Sequence, residues 1–131
     1  MTESKRCFIT GANGFIGSHL TRRLLKEGHE VHVFIKKNAS CERLEEVKSQ
    51  LTCHWGDLAE KNAVHNAVTA TKPEWIFHLG SLVNPERSLE FFPEMIRVNV
   101  MGTLNILTTL NNVDVECFVN TGTCEEYGNG K

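Results

Sequence analysis

Two hydrophobic patterns alternate along the chain: short apolar runs, and longer stretches in which apolar residues recur at helical spacing. Arg6 to Thr10, built around Cys7-Phe8-Ile9, predicts a first strand. Phe15 to Glu27 follows as a helix that buries Phe15, Ile16, Leu20, Leu24 and Leu25, and Gly28 suits its left-handed C-terminal cap. Glu30 to Ile35 predicts a second strand, Cys41 to Gln50 a charged surface helix, and Leu51 to Trp55 a third strand. Glu60 to Thr71 reads as helical and Trp75 to Leu79 as a fourth strand. A longer helix runs from about Pro93 to Asn111, with Pro93 in its first turn and Met95, Val98, Met101, Gly102, Ile106 and Leu110 facing inward. Glu116 to Asn120 is the fifth strand. The order βαβαβαβαβ implies an α/β fold: a doubly wound parallel sheet with helices on both faces and right-handed crossovers.

At 131 residues the chain is long enough for one cored domain, residues 1–131, and too short for two. A net charge of −2 gives no electrostatic reason to expect nucleic acid or an anionic membrane as partner. No apolar run approaches the roughly 20 residues of a membrane span. Met1 to Arg6 leads straight into the first strand with no signal-peptide core. The odd set of five cysteines contains no C-x-x-C pair, which fits reduced thiols in a cytoplasmic protein better than disulfides or zinc. The six histidines lack metal-ligand spacing, so no metal is expected. A fifth strand left as an open sheet edge makes a homo-oligomer a possible state.

Candidate chemistry begins between the first strand and the first helix, at Thr10-Gly11-Ala12-Asn13-Gly14-Phe15-Ile16-Gly17. Strand, glycine turn and helix in that order make a cradle for a dinucleotide pyrophosphate. The first backbone N–H groups of a helix have no partner within it and carry partial positive charge, so they hold a diphosphate without a cationic side chain. Each glycine removes a Cβ at a crowded point. Gly11, Asn13, Gly14, Phe15, Ile16 and Gly17 are therefore cofactor-binding candidates.

This stretch resembles the extended short-chain dehydrogenase/reductase superfamily, which includes nucleotide-sugar epimerases and dehydratases, and the resemblance covers nearly the whole chain. It implies a Rossmann-type sheet and a nicotinamide dinucleotide partner. Gly56-Asp57-Leu58 matches the turn after the third strand, where the resemblance assigns Asp57 and Leu58 to the adenine pocket. On residues alone, Asp57 is equally readable as a helix N-cap. His78-Leu79-Gly80-Ser81 is similar to the family's His-Leu-Ala-Ala, placing Leu79, Gly80 and Ser81 on the ribose and nicotinamide side, with His78 read as a packed strand histidine. Val98-Asn99-Val100-Met101-Gly102-Thr103 matches the Asn-Val-x-Gly-Thr helix, with Asn99 near the site and Gly102 allowing close helix packing.

The end of the second strand bears on which cofactor binds. NAD sites usually present an acid about 20 residues after the glycines, bonded to the adenine ribose. Here the strand ends Phe34-Ile35-Lys36-Lys37, with Ser40 and Arg43 nearby. Lys36 and Lys37 predict neutralisation of a 2′-phosphate, hence NADP in preference to NAD, unless they are simply solvated loop charges.

After the fifth strand the resemblance points to Thr123, whose hydroxyl would bond a substrate oxygen, and to Glu125 as a base, unless it is an exposed loop carboxylate. Tyr127-Gly128-Asn129-Gly130-Lys131 spells the superfamily's Tyr-x-x-x-Lys, but its glycines disfavour the helix that pair requires. The reading is thus the cofactor-binding portion of an NAD(P)-dependent epimerase, dehydratase or reductase, with a nucleotide-diphosphate sugar as partner and reversible hydride transfer as reaction. Two alternatives stay open: a non-catalytic dinucleotide-binding module or gene remnant, and a ketone or aldehyde reductase of the same superfamily. In every case 131 residues without the Tyr–Lys pair are expected to be inactive alone.

Overall fold

The computed structural model describes residues 3–84, 88–123 and 127–128. Five parallel strands, β1 (Arg6–Thr10), β2 (Glu30–Ile35), β3 (Leu51–Trp55), β4 (Trp75–His78) and β5 (Cys117–Asn120), lie in the order β3-β2-β1-β4-β5. β1, whose last four residues are all buried, sits at the centre. Strands covered on both faces read as continuous apolar runs, which is why their bounds are legible.

Helices cover both faces. α1 (Phe15–Lys26) and a 3₁₀ helix (Glu42–Gln50) close one core, formed by Cys7, Ile9, Ala12, Leu24, Val31, Val33, Ile35 and Leu44. α2 (Lys61–Thr71) and α4 (Gly102–Thr109) close the other, around Phe8, Phe34, Val64, Ala67, Val68, Ile76 and Ile106. The order reverses at β1, whose neighbours β2 and β4 lead to opposite halves of the sheet. A crevice therefore opens beyond the carboxyl ends of β1 and β4.

Two expectations need correction, and one is refined. Phe15 and Ile16 are 71% and 66% exposed, because the first turn of α1 projects beyond the strand ends and burial starts at Gly17 and Ser18. The charged surface helix expected over Cys41 to Gln50 is of the 3₁₀ type and spans Glu42–Gln50. Cys41, Leu44 and Val47 recur every three residues and all pack on the first core, the spacing a three-residue turn aligns. The long helix is not uniformly α-helical. A 3₁₀ turn (Leu89–Phe91) leads into α3 (Phe92–Met95), a π-helical segment (Ile96–Met101), α4 and a closing 3₁₀ turn (Leu110–Asn112). The wider π turn rotates the helix face, so Met101 is 43% exposed while Gly102, Asn105, Ile106 and Thr109 are buried.

Candidate functional site

The cradle after β1 is shaped by backbone contact. Gly11 has φ +69°, and a Cβ there would lie 2.7 Å from the Gly80 nitrogen and 2.8 Å from the Leu79 carbonyl carbon. A Cβ on Gly17 would lie 2.1 Å from the Gly11 oxygen. Side chains at either point would push the loop away from β4 or from α1. Gly14 N–H donates to Gly11 O at 3.0 Å and closes the turn, and Gly14 caps α1 with no side chain over the helix start. The N–H groups of the first turn thus have no intrahelical acceptor and lie open to a ligand.

A cavity of about 180 Å³ adjoins the cradle, lined among others by Gly11, Asn13, Lys36, Asp57, Leu58 and Glu94. Asp57 is not a helix cap. Its Oδ1 accepts Ala59 N–H at 2.9 Å ahead of α2, and Glu60 holds the N-cap position. Its Oδ2 accepts from Arg97 Nη2 at 2.8 Å, while Arg97 grips Glu94 through both carboxylate oxygens at 2.7 Å. Partial burial raises the Asp57 pKa, but hydrogen bonds from Arg97 and Ala59 outweigh it and hold the carboxyl below its ordinary value. Asn105 Nδ2 donates to Leu58 O at 2.9 Å, and a Cβ on Gly102 would lie 2.9 Å from Leu58 Cβ, so α4 packs directly on this turn. On the far side Asn13 Nδ2 donates to Ser40 O at 2.9 Å, tying the glycine turn to the loop after β2.

A second cavity, of about 640 Å³, shares Gly80, Ser81 and Leu82 with the first and extends past His78, Asn99, Thr103 and Asn120 to Thr123. Asn99 fixes its wall by bonding Leu82 twice, accepting from the N–H at 2.7 Å and donating to the carbonyl at 2.9 Å. Burial pushes the His78 pKa down to about 4, so the imidazole is neutral at pH 7. No group of three or more His, Cys, Asp or Glu among the described residues could hold a metal. No helix among them is long and apolar enough to cross a membrane.

Residues 7–131 match the NAD dependent epimerase/dehydratase family. The chain belongs to that family. It is 35% identical over 130 residues to the UDP-N-acetyl-alpha-D-glucosaminuronate decarboxylase of Bacillus cytotoxicus, a match covering 96% of this chain and 39% of that protein. It is 30% identical over 131 residues to the CDP-glucose 4,6-dehydratase of Salmonella typhimurium, covering 97% and 36%. Among solved structures, the Bordetella bronchiseptica enzyme WbmG in complex with NAD superposes with a TM-score of 0.84 at 25% identity, covering 96% of this chain and 40% of that one. The Thermus thermophilus UDP-glucose 4-epimerase complex with NAD gives 0.68 at 33% identity, covering 80% and 33%. The chain thus spans about two fifths of the curated relatives it matches, and corresponds to their N-terminal, cofactor-binding portion.

Within this family portion the structure gathers Gly11, Asn13, Lys36, Asp57, Leu58, Gly80 and Ser81 around the first cavity, and Gly80, Ser81, Asn99 and Thr123 around the second. Gly14 and Gly17 shape the cradle beside Phe15 and Ile16, which are exposed at the helix start. Leu79 packs against the first core and lines neither cavity, and Lys37 is exposed outside both linings. Glu125 lies outside the described residues. Tyr127 is 83% exposed and Gly128 has φ +59°, while Lys131 lies outside the described residues. Sequence reasoning missed Glu94 and Arg97. Their signal was an acid and a base three apart on the helix, two residues ahead of Asn99.

Proposed function

We propose that the chain binds a nicotinamide dinucleotide across the two cavities and prefers NADP(H). The observation that carries the reading is the open N-terminus of α1 over the Gly11–Gly17 turn, with the Asp57–Leu58 cavity at its side. Gly11 and Gly17 leave room that a Cβ would fill, so the residues present fit a pyrophosphate. Asp57, held ionised and oriented by Arg97, is set to accept from the adenine amino group. Lys36 supports the NADP preference: it lines the cavity at the end of β2, where an NAD site would present an acid.

In a protein of the relatives' length, the bound nicotinamide would supply reversible hydride acceptance, and the substrate would be a nucleotide-diphosphate sugar. That reading is supported by the named activities of the relatives. Thr123, which lines the second cavity, bonds the substrate oxygen in this reading, with Glu125 as the accompanying base. The thiols Cys7, Cys41, Cys53 and Cys117 are free, which supports a cytoplasmic setting.

Titration of the chain with NADPH and with NADH, followed by reduced-nicotinamide fluorescence, tests the reading. NADPH is expected to bind about tenfold more tightly, and Lys36→Ala to remove the difference, since one charge-assisted phosphate contact contributes about 1.5 kcal/mol. Equal affinities would refute the NADP preference. Absence of binding by either would refute the dinucleotide site.

A further inference from the structure

The ends of β1, β4 and the long helix are joined by a line of hydrogen bonds that runs in one direction only. Thr103 Oγ1 donates to Asn99 O at 2.7 Å, so at its other side it accepts, from His78 Nε2 at 3.0 Å. His78 therefore carries its proton on Nε2, and Nδ1 is left as an acceptor. That acceptor takes the hydroxyl of Thr10 at 2.6 Å. Thr10 Oγ1 in turn accepts Gly80 N–H at 2.9 Å. One buried ring thus connects the residue before the glycine turn, the turn after β4, and the helix that carries Asn99.

Among the described residues, Thr10 from β1 and Thr103 from α4 bond the ring and Phe118 from β5 stacks on it at 6.5 Å, and none of the three is charged. No other titratable residue among the described residues lines the second cavity. Burial alone keeps the ring neutral across the ordinary pH range, which leaves Nδ1 free to accept.

We propose that His78, in its Nε2–H form, is a positioning residue that holds the Thr10–Gly11 turn against Gly80 and so sets the affinity for the nicotinamide half of the dinucleotide. The proposal rests on the dinucleotide reading above. Gly11 and Gly80 touch backbone to backbone, and the Thr10 hydroxyl bonded to Gly80 N–H is oriented by His78 alone among the described residues. The adenine half meets a different set of supports, Arg97 on Asp57 and Asn105 on Leu58, in which His78 takes no part. Gly11 and Gly80 also line the first cavity, so loss of the ring should loosen the nicotinamide side more than the adenine side, where Asp57 and Leu58 keep their own supports.

The test compares NADH with AMP, so that its outcome is independent of any 2′-phosphate. His78→Leu is expected to weaken NADH about tenfold and AMP less than about twofold, as removal of one buried hydrogen-bond acceptor predicts. His78→Asn, whose Oδ1 can take the place of Nδ1, should restore NADH to within about threefold of wild type. In wild type at pH 7, long-range proton–nitrogen spectra should show His78 as the Nε2–H tautomer. An Nδ1–H tautomer would overturn the proposal, as would parallel losses for NADH and AMP, or unchanged NADH binding in His78→Leu. Should His78→Leu not fold, the tautomer and the His78→Asn affinities decide. A wild-type chain that binds NADH no better than AMP would overturn the dinucleotide reading itself, and the proposal with it.

Discussion

His78 should make the fold acid-labile by a calculable amount. The ring is 3% exposed and its pKa falls from 6.5 to about 4. In the unfolded chain it protonates near pH 6.5, and in the folded chain only near pH 4, so protons favour unfolding between those values. The stabilisation is complete above pH 6.5, declines as pH falls, and is fully lost below about pH 4. The difference between protonation near pH 6.5 and near pH 4 corresponds to about 3 kcal/mol. At pH 5 the loss is about 2 kcal/mol. With about 2.1 cal/mol/K of unfolding entropy per residue, the chain has an unfolding entropy near 0.28 kcal/mol/K, so pH 5 should lower Tm by about 7 °C through this residue. Thermal unfolding of wild type and His78→Asn, followed by circular dichroism from pH 7.5 to pH 4.5, isolates the contribution as a difference in slope. His54, whose pKa is lowered by burial and by neighbouring His32, contributes in the same direction in both proteins and cancels. Identical slopes for wild type and His78→Asn would refute the reasoning.

Three further outcomes follow from packing. Gly17→Ala places a methyl carbon 2.1 Å from the Gly11 oxygen, and the strain should cost about 1–3 kcal/mol and abolish dinucleotide binding; unchanged Tm and affinity would contradict the cradle geometry. Thr21 is fully buried and its hydroxyl has no hydrogen-bond partner among the described residues, so Thr21→Val should stabilise by about 1 kcal/mol and raise Tm by about 4 °C, read by calorimetry. Ile96, Val100 and Leu104 are exposed on the long helix; lysine at all three should raise the solubility limit and lower self-association in sedimentation without lowering Tm, and a substantially lower Tm would show that they are packed.

The strands and the glycine turn were legible because their signals are local. A strand buried on both faces spells itself as an apolar run, and a pyrophosphate cradle needs its glycines at fixed offsets. What was not legible depends on what lies across the molecule. Phe15 and Ile16 fit the helical period of α1, yet the period says nothing about where the sheet beneath them stops. Met101 was assigned inward by a 3.6-residue repeat that the π segment does not keep. The segment Cys41–Gln50 reads from sequence as a charged helix, and the three-residue spacing of Cys41, Leu44 and Val47 gains meaning only once all three are seen on the first core. The site divides the same way. Lys36, Asp57 and Gly80 follow strand ends and could be placed by counting, whereas Arg97 reaches Asp57 across 40 positions and gains its role only from that contact. His78 is the sharpest case. As a strand residue it reads as packing, and it is packed; but Thr10 lies 68 positions before it and Thr103 25 after. Only closure of β1, β4 and α4 on one another gives both ring nitrogens partners. A residue whose function lies in connecting elements cannot be recognised from any one of them.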